Sequence, residues 1–243
     1  MIANLELMST RIELNNKTRT HDAVRVFIID SNPVYREGLI QRLKNVNELE
    51  IIGITATMEE TPRLSRPEVD VIIVDMDRND PRVSWSLLQK MKTSTDSAVL
   101  PLSYHERDID LVAAYSLHCS GWLLRRLDPV YLINSIQYAP KGSTFDPIQT
   151  RRVLMWKNTF SSQWMNLRNR ELEIFWMLLH GKSNSTIAQE ISCSEHTVEK
   201  YVSKLLQRFE KPSRTALIAF CYKNHLDILE SFPPEVIHLM VAP

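Results

Sequence analysis

Short, almost continuous apolar runs recur along the first half of the chain. The five runs are Val24 to Asp30, Ile51 to Ile54, Val69 to Val74, Ala98 to Leu102 and Trp122 to Leu124. Runs of this kind are typical of parallel strands that are buried on both faces. Segments with helical character lie between and after them: Pro33 to Lys44, about Met58 to Ser65, Ser84 to Lys92, Arg107 to Ser116 and Pro129 to Tyr138. Five alternations of strand and helix predict a doubly wound, flavodoxin-like α/β domain with five parallel strands.

Polar side chains stand where four of these predicted strands end. Asp30, Asp75, Ser103 and Arg125 each follow a different strand. The carboxyl ends of parallel strands form the ligand crevice of such a sheet. One acid after a strand is ordinary, because loops often begin with Asp. Four functional groups after four strands indicate a site.

The second half of the chain has a different pattern, in which apolar residues recur at helical spacing. A first apolar helix is expected to stop at Gly181, since glycine favours the position after a helix end. Asn184 to Ile191 predicts a short second helix. Ser194 is a suitable N-cap for a third helix over Glu195 to Phe209. Three closely spaced helices of this kind predict an all-α unit with a helix-turn-helix.

The third of these helices has an apolar stripe on one side and donors on the other. A lone amphipathic helix usually exposes a charged face only to solvent, but the order of residues around this one favours DNA binding. Donors of this kind can reach phosphates and base edges in a major groove. The candidate DNA-binding residues are Ser194, His196, Thr197, Lys200, Tyr201, Ser203, Lys204 and Arg214.

The spacing of residues in this region resembles the LuxR-type DNA-binding domain of NarL/FixJ-type response regulators. The resemblance spans about sixty residues and rests on Gly181, Asn184, Ile187-Ala188, Thr197-Val198, Val202, Leu205 and Ser213-Arg214-Thr215. It implies a homodimer that binds a two-fold related site on double-stranded DNA, with one recognition helix in each major groove. It also implies a dimer contact through the last helix, Thr215 to Leu226. Glu199 departs from the family, which often has Lys at that position.

The first half resembles a response-regulator receiver domain in residues 24–39 and in Ser120 to Arg125. The resemblance implies that Asp75 is the phosphoacceptor. In that family an acid pair after the first strand and the acceptor Asp bind Mg²⁺. The cation neutralises the charge of the phosphoryl donor. A hydroxyl after the fourth strand, here Ser103, and a Lys after the fifth complete the pocket.

The chain matches this pocket only in part. Ser31 stands in place of the second acid, and Arg125 stands in place of the Lys. The planar fork of arginine favours pairing with carboxylates, so we expect Arg125 to pair with Asp75 or Asp30. A fixed cation there predicts at best a weak Mg²⁺ site at Asp30 and Asp75. The receiver is therefore expected to be phosphorylated weakly or not at all.

A conventional response regulator is the competing interpretation. In it a histidine kinase phosphorylates Asp75, and Asp77 helps to hold Mg²⁺. Ser31 acting merely as a helix cap is compatible with both interpretations, which the sequence leaves open.

Composition adds limits to these expectations. The 243 residues favour two domains, and the 44% hydrophobic and 24% charged residues are typical of globular proteins. With 29 basic and 29 acidic residues, the chain is not a non-specific polyanion binder. Residues 196–214 alone carry five basic and two acidic side chains, a net charge of 5 − 2 = +3.

The three scattered cysteines suggest neither zinc nor disulfides. No apolar run reaches the roughly 20 residues of a membrane span, which predicts a cytoplasmic protein.

An enzyme and a protein-interaction module are the alternative function classes. An enzyme is disfavoured because no glycine-rich phosphate loop follows the first strand, so no cofactor is expected beyond Mg²⁺. A receiver that only binds a regulatory partner is compatible with the main interpretation.

The expected segments are a flexible arm (1–22), the receiver-like domain (23–142), a linker (143–165), the helix-turn-helix domain (166–228) and a tail (229–243). The linker contains Met155, Trp156, Phe160, Trp164 and Met165, which are apolar enough to pack against a domain. The role of the tail is undecided.

Overall fold

The computed structural model describes residues 23–57, 69–78, 80–126, 128–164 and 167–242. The predicted arm (1–22) and the predicted helix over Met58 to Ser65 lie outside the described residues. None of the described helices is long and apolar enough to cross a membrane.

The first unit is the predicted parallel α/β sheet. Its strands are β1 (Val24–Ile29), β2 (Leu49–Thr55), β3 (Val71–Asp75), β4 (Ala98–Ser103) and β5 (Leu123–Leu124). They form one parallel sheet in the order β2-β1-β3-β4-β5. From β1 the strand order runs outward in both directions, with β2 on one side and β3, β4 and β5 on the other, so the order reverses between β1 and β3. The carboxyl ends of these two strands therefore mark the crevice where a ligand would bind.

Four described helices cover the sheet: α1 (Pro33–Leu43), α2 (Pro81–Ser94), α3 (Asp108–Ser116) and α4 (Pro129–Tyr138). Leu39 of α1 and Ile136 of α4 are buried in the core on one face of the sheet. Leu88 of α2 and Val112 of α3 are buried in the core on the other face. This three-layer arrangement confirms the predicted fold class.

Helix α1 begins with an Asn cap and a proline. The side chain of Asn32 accepts a hydrogen bond from the backbone N–H of Tyr35 at 3.1 Å. Proline suits the first helical position because its fixed backbone angle is already helical. Since Asn32 is the cap, the side chain of Ser31 is available for another contact.

The predicted linker is a helix, α5 (Pro147–Trp164), which packs on α3. Val153, Trp156, Phe160 and Trp164 lie on one stripe and are buried, which confirms that this segment packs. Met155 was wrongly included, because it lies between two stripe positions and its side chain is 58% exposed. Met165 lies outside the described residues.

The second unit is helical and contains α6 (Asn169–Leu179), α7 (Asn184–Glu190), α8 (Glu195–Arg208) and α9 (Arg214–Lys223). Serine hydroxyls of Ser183, Ser194 and Ser213 cap the last three by accepting backbone N–H bonds. Phe175 and Phe209 stack at 5.4 Å between ring centroids and fix α6 against the end of α8. The predicted last helix ends earlier than Leu226.

The segment after α9 packs on the first unit. A 3₁₀ turn over Leu226–Ser231 leads to Phe232, which stacks on Trp85 of α2 at 4.4 Å between ring centroids. Helix α10 (Pro234–Val241) then packs against α3 and α5, with Val236 and Met240 fully buried. One continuous hydrophobic core therefore extends from the sheet through α5 into the second unit. The tail that the sequence left undecided covers the surface of the first unit.

The cysteines are free thiols, as expected. Cys119 and Cys221 are buried, and burial raises the pKa of each thiol to about 12. Cys193 is half-buried in the turn before α8. The two buried thiols are packing residues, because a thiol that stays protonated is a poor nucleophile.

Candidate functional site

The guanidinium of Arg125 is the centre of the pocket at the carboxyl ends of the strands. Its Nη1 donates to Asp30 Oδ2 at 2.7 Å, and its Nε donates to Asp77 Oδ2 at 3.0 Å. Its Nη2 donates to Asp75 Oδ1. The side chains of Arg125, Asp30 and Asp75 are each 1% exposed. The expected pairing of Arg125 with Asp75 or Asp30 is confirmed, and Asp77 is an additional partner.

Both carboxylate oxygens of Asp75 are occupied by donors. Oδ1 accepts from Arg125 and from the backbone N–H of Asp77 at 2.9 Å. Oδ2 accepts from the backbone N–H of Ser31 at 3.1 Å and from the hydroxyl of Ser31. Burial alone would raise the pKa of Asp75, but the bonds from Ser31 and Asp77 and the charge of Arg125 lower it below its usual value. Asp75 is thus a buried, fully bonded anion.

Ser103 and Asp77 form the other side of the pocket. The Ser103 hydroxyl donates to Asp77 Oδ1 at 2.6 Å, and the Tyr104 backbone N–H donates to Asp77 Oδ2 at 2.8 Å. The residues predicted to form the pocket, namely Asp30, Ser31, Asp75, Asp77, Ser103 and Arg125, are therefore brought together.

Two tyrosines that sequence reasoning missed cover the cluster. The Arg125 Cζ lies 4.1 Å from the ring centroid of Tyr35 and 5.1 Å from that of Tyr104. Cation–π contacts of this kind are favourable and exclude water from a guanidinium. Tyr35 stands in the first turn of α1, and Tyr104 follows Ser103. The sequence signal that could have pointed to them is an aromatic residue close after each of two strand ends, in the first turn of α1 for Tyr35 and directly after β4 for Tyr104.

Three carboxylates share one guanidinium in this cluster. Burial raises the pKa of Asp30, and the nearby charge of Asp75 adds to this, so that Arg125 offsets the effect only in part. Burial would lower the pKa of Arg125, but its bonds to Asp30 and the charge of Asp75 raise it above its usual value. Arg125 therefore stays charged and supplies the cation of this pocket.

The residues present do not suit Mg²⁺. Magnesium needs oxygen ligands in near-octahedral geometry at short distances. The oxygens of Asp75 already accept four hydrogen bonds. Those of Asp30 accept from Arg125 and from the Asn32 backbone N–H. Across the ranges that the structure describes, no group of three or more His, Cys, Asp or Glu is arranged to hold a metal ion.

The second candidate site is the polar face of α8. Val198, Val202 and Leu205 are buried against the rest of the unit, so the opposite face is accessible. Of the predicted DNA-binding residues, Ser194, His196, Lys200, Ser203 and Lys204 are exposed, whereas Thr197, Tyr201 and Arg214 are half-buried. The ammonium of Lys204 lies 5.7 Å from the Tyr201 ring centroid. Ser194 and Thr197 take part in the helix cap.

The basic residues near α8 differ in their freedom to contact a ligand. Arg214 donates to Asn184 Oδ1 at 3.2 Å and to the carbonyl of Lys182. Arg208 donates to the Gln163 carbonyl at 3.5 Å, and Lys211 lies 3.9 Å from the Phe220 ring centroid. Lys200 and Lys204 form no ion pair with any described residue. These two lysines are the available cations of the exposed face, and Arg214 mainly ties α9 to α7.

The second unit is similar to a known protein family. Residues 165–221 match the model "Bacterial regulatory proteins, luxR family". The chain is 26% identical over 196 residues to the nitrate/nitrite response regulator protein NarP of Escherichia coli, covering 79% of this chain and 91% of NarP. It is 26% identical over 234 residues to the transcriptional regulatory protein DegU of Brevibacillus brevis, covering 86% of this chain and 97% of DegU. The similarity thus includes both units.

Solved structures show the same fold. The Salmonella typhimurium response regulator RcsB aligns with a TM-score of 0.57 and 20% identity, covering 82% of this chain and 99% of RcsB. A structure of two RcsB dimers bound to two parallel DNAs aligns with a TM-score of 0.54 and 19% identity, covering 85% of this chain and 99% of that one. A parallel α/β sheet followed by a helical unit is therefore an arrangement shared with response regulators.

Proposed function

We propose that this chain, which is similar to response regulators and matches a LuxR-type family model over residues 165–221, regulates transcription by binding double-stranded DNA as a homodimer. Each recognition helix α8 enters a major groove of a two-fold related site. The receiver unit is phosphorylated weakly or not at all at Asp75 and needs no cofactor. The observation that carries the receiver part of this proposal is the buried guanidinium of Arg125 between Asp30, Asp75 and Asp77.

The exposed face of α8 supports the DNA-binding part of the proposal. Lys200 lies in the middle of that face, opposite the buried stripe, and Lys204 follows one turn later. Phosphate contacts from such side chains supply affinity, and contacts to base edges supply specificity. The named relatives are response regulators and transcriptional regulators, and an RcsB structure contains dimers on DNA. A dimer with two copies of α8 fits a two-fold related site.

The saturation of Asp75 supports the receiver part. Attack on a phosphoryl donor requires a free carboxylate oxygen, together with a cation that can bridge to the donor. Both oxygens of Asp75 instead accept hydrogen bonds, and the cation is a side chain enclosed by Tyr35 and Tyr104. The guanidinium of Arg125 therefore already supplies the positive charge that Mg²⁺ would supply to these carboxylates.

We expect that acetyl phosphate with Mg²⁺ will leave the intact mass of the full-length protein unchanged. DNA affinity at fixed salt should also be the same with and without the donor. The probe is a duplex selected from a random library with the protein itself. Asp75→Asn is the control for any modification at another site. Rapid, stoichiometric phosphorylation that is abolished by Asp75→Asn would instead support a conventional regulator controlled by a histidine kinase.

A variant designed to restore phosphorylation provides a second test of the same pocket. The variant Ser31→Asp with Arg125→Lys supplies the acid and the ammonium that the family pattern has at these positions. We expect this variant to accept a phosphoryl group from acetyl phosphate more readily than the wild-type protein. Intact mass measured over time gives the result. Equal and negligible modification of both proteins would show that Ser31 and Arg125 are not what prevents phosphorylation of Asp75.

The lysines of α8 provide a test of the DNA-binding face. Replacing Lys200 or Lys204 by Ala should cost about 1–3 kcal/mol of binding free energy if the side chain reads a base. If it contacts only phosphate, the loss should be similar for all sequences and the salt dependence shallower. Lys223→Ala, which removes an exposed cation from α9, is the matched control. Unchanged DNA affinity of the Lys200→Ala, Lys204→Ala double variant would refute this face.

A further inference from the structure

Glu199 is an acidic side chain beside the cations of the α8 face. It directly precedes Lys200, and its side chain is 59% exposed. Its Oε2 lies 3.5 Å from Nδ1 of His196, one turn earlier. A surface that contacts phosphates normally excludes carboxylates, because two anions repel each other. A carboxylate on the exposed face of α8 would therefore weaken phosphate contacts unless it has another role.

Stabilising α8 is not that role. Residues three and four positions apart interact on a helix, and like charges at this spacing are unfavourable. Four positions before Glu199 is Glu195, and four positions after it is the uncharged Ser203. Among the described residues, His196 is the only ion-pair partner of Glu199, and its side chain is 73% exposed. Exposed pairs of this kind add little to stability.

We propose that Glu199 determines the DNA sequence that this protein selects, by accepting a hydrogen bond from the exocyclic amine of a cytosine in the major groove. This inference rests on the proposed function, because it assumes that α8 enters the groove. His196 contributes by restricting the side-chain position of Glu199. Lys200, the next residue of the helix, is also exposed and presents donors on an adjoining part of the α8 surface.

The chemistry of base edges selects cytosine over the other bases. An ionised carboxylate only accepts hydrogen bonds. In the major groove, guanine presents two acceptors, and thymine presents an acceptor and a methyl group. Adenine presents an amine, but its N7 acceptor lies next to that amine and repels an anion. Cytosine presents the amine alone, and its paired guanine offers acceptors to a lysine.

The test is a selection from a random duplex library with the full-length protein and with Glu199→Gln. The wild-type protein should enrich a cytosine at one fixed position of each half-site. Changing that G·C pair to A·T should weaken wild-type binding about 5- to 150-fold at fixed salt. Glutamine pairs with adenine through two hydrogen bonds. In the Glu199→Gln variant, the preference at that position should therefore shift from cytosine toward adenine.

Glu195→Gln is the matched control, because it removes one exposed carboxylate from the first turn of the same helix. It should leave the selected sequence unchanged. The inference is overturned if Glu199→Gln selects the same sequence as wild type, with all affinities raised by one common factor. Glu199 would then only repel phosphate. If no duplex in the library binds the wild-type protein, the proposed DNA-binding function itself fails, a result distinct from an unaltered preference.

Discussion

Replacing Arg125 by Met should lower the free energy of unfolding by about 3–5 kcal/mol, because it removes one partner of a buried ion pair. Asp30 and Asp75, each 1% exposed, would lose the cation that they share. Urea titration monitored by tryptophan fluorescence measures the change. The matched control is Arg126→Met, which alters the neighbouring exposed arginine. Equal stability of the two variants would mean that solvent or rearranged donors compensate the carboxylates.

The pH dependence separates this electrostatic cause from a packing defect. In the wild-type protein the pKa of Asp75 is lowered. Its stabilising contribution is therefore present above the ordinary aspartate value of 3.8 and is lost as the pH falls through the lower folded value. Removing Arg125 removes one of the causes that lower the pKa of Asp75 and the main cause that lowers the pKa of Asp30, so both carboxyls protonate more readily and protonation relieves the penalty. The difference between Arg125→Met and wild type should shrink as the pH falls from about 7 to about 4. A difference that is independent of pH would indicate lost packing instead.

Phe232→Ala should lower the free energy of unfolding by about 3–5 kcal/mol, which is typical for removing a buried Phe side chain. Phe232 is 4% exposed and stacks on Trp85, which is 3% exposed. The loss should affect the first unit although Phe232 follows the second. Chemical denaturation gives the magnitude, and hydrogen exchange of amides in α2 and α3 gives the location.

Leu239→Ala is the matched control, because Leu239 lies on α10 but is 41% exposed. Its effect should stay within about 0.5 kcal/mol. In a double-mutant cycle, Trp85→Ala with Phe232→Ala should show a coupling of about 0.5–1.5 kcal/mol, the usual value for an aromatic pair. Additive effects of the two substitutions would show that the C-terminal segment does not rest on α2 in solution.

The sheet was predictable from sequence because its central strands β1, β3 and β4 are largely buried on both faces. Such strands appear as apolar runs, and the runs that begin at Val24 and Ala98 start at the first residues of β1 and β4. The pairing of Arg125 was predictable as well, since an arginine among strand-end acids has a planar fork that matches carboxylates. The third partner, Asp77, was placed in the pocket by the sequence, but as a metal ligand and only in the competing interpretation, because the sequence does not show which cation occupies a pocket.

The contacts of α5 and of the C-terminal segment were harder to predict. The stripe of Val153, Trp156, Phe160 and Trp164 has helical spacing, so the helix itself could have been predicted over the whole of 147–164. Its orientation could not, because periodicity identifies a buried face without identifying what covers it. The contact between Trp85 and Phe232 joins distant parts of the chain. Local patterns contain no information about such a pair.

The contact of α10 with α3 and α5 also affects the order in which the protein is completed. Domains generally fold as they emerge during synthesis, the earlier one first. Here the surface of the first unit over α2 and α3 stays open until residues 226–242 have followed the helix-turn-helix out of the ribosome. During that interval Trp85 lacks the aromatic partner, Phe232, on which it stacks in the complete fold. The first unit therefore reaches its final burial only after the second, helical unit has been translated.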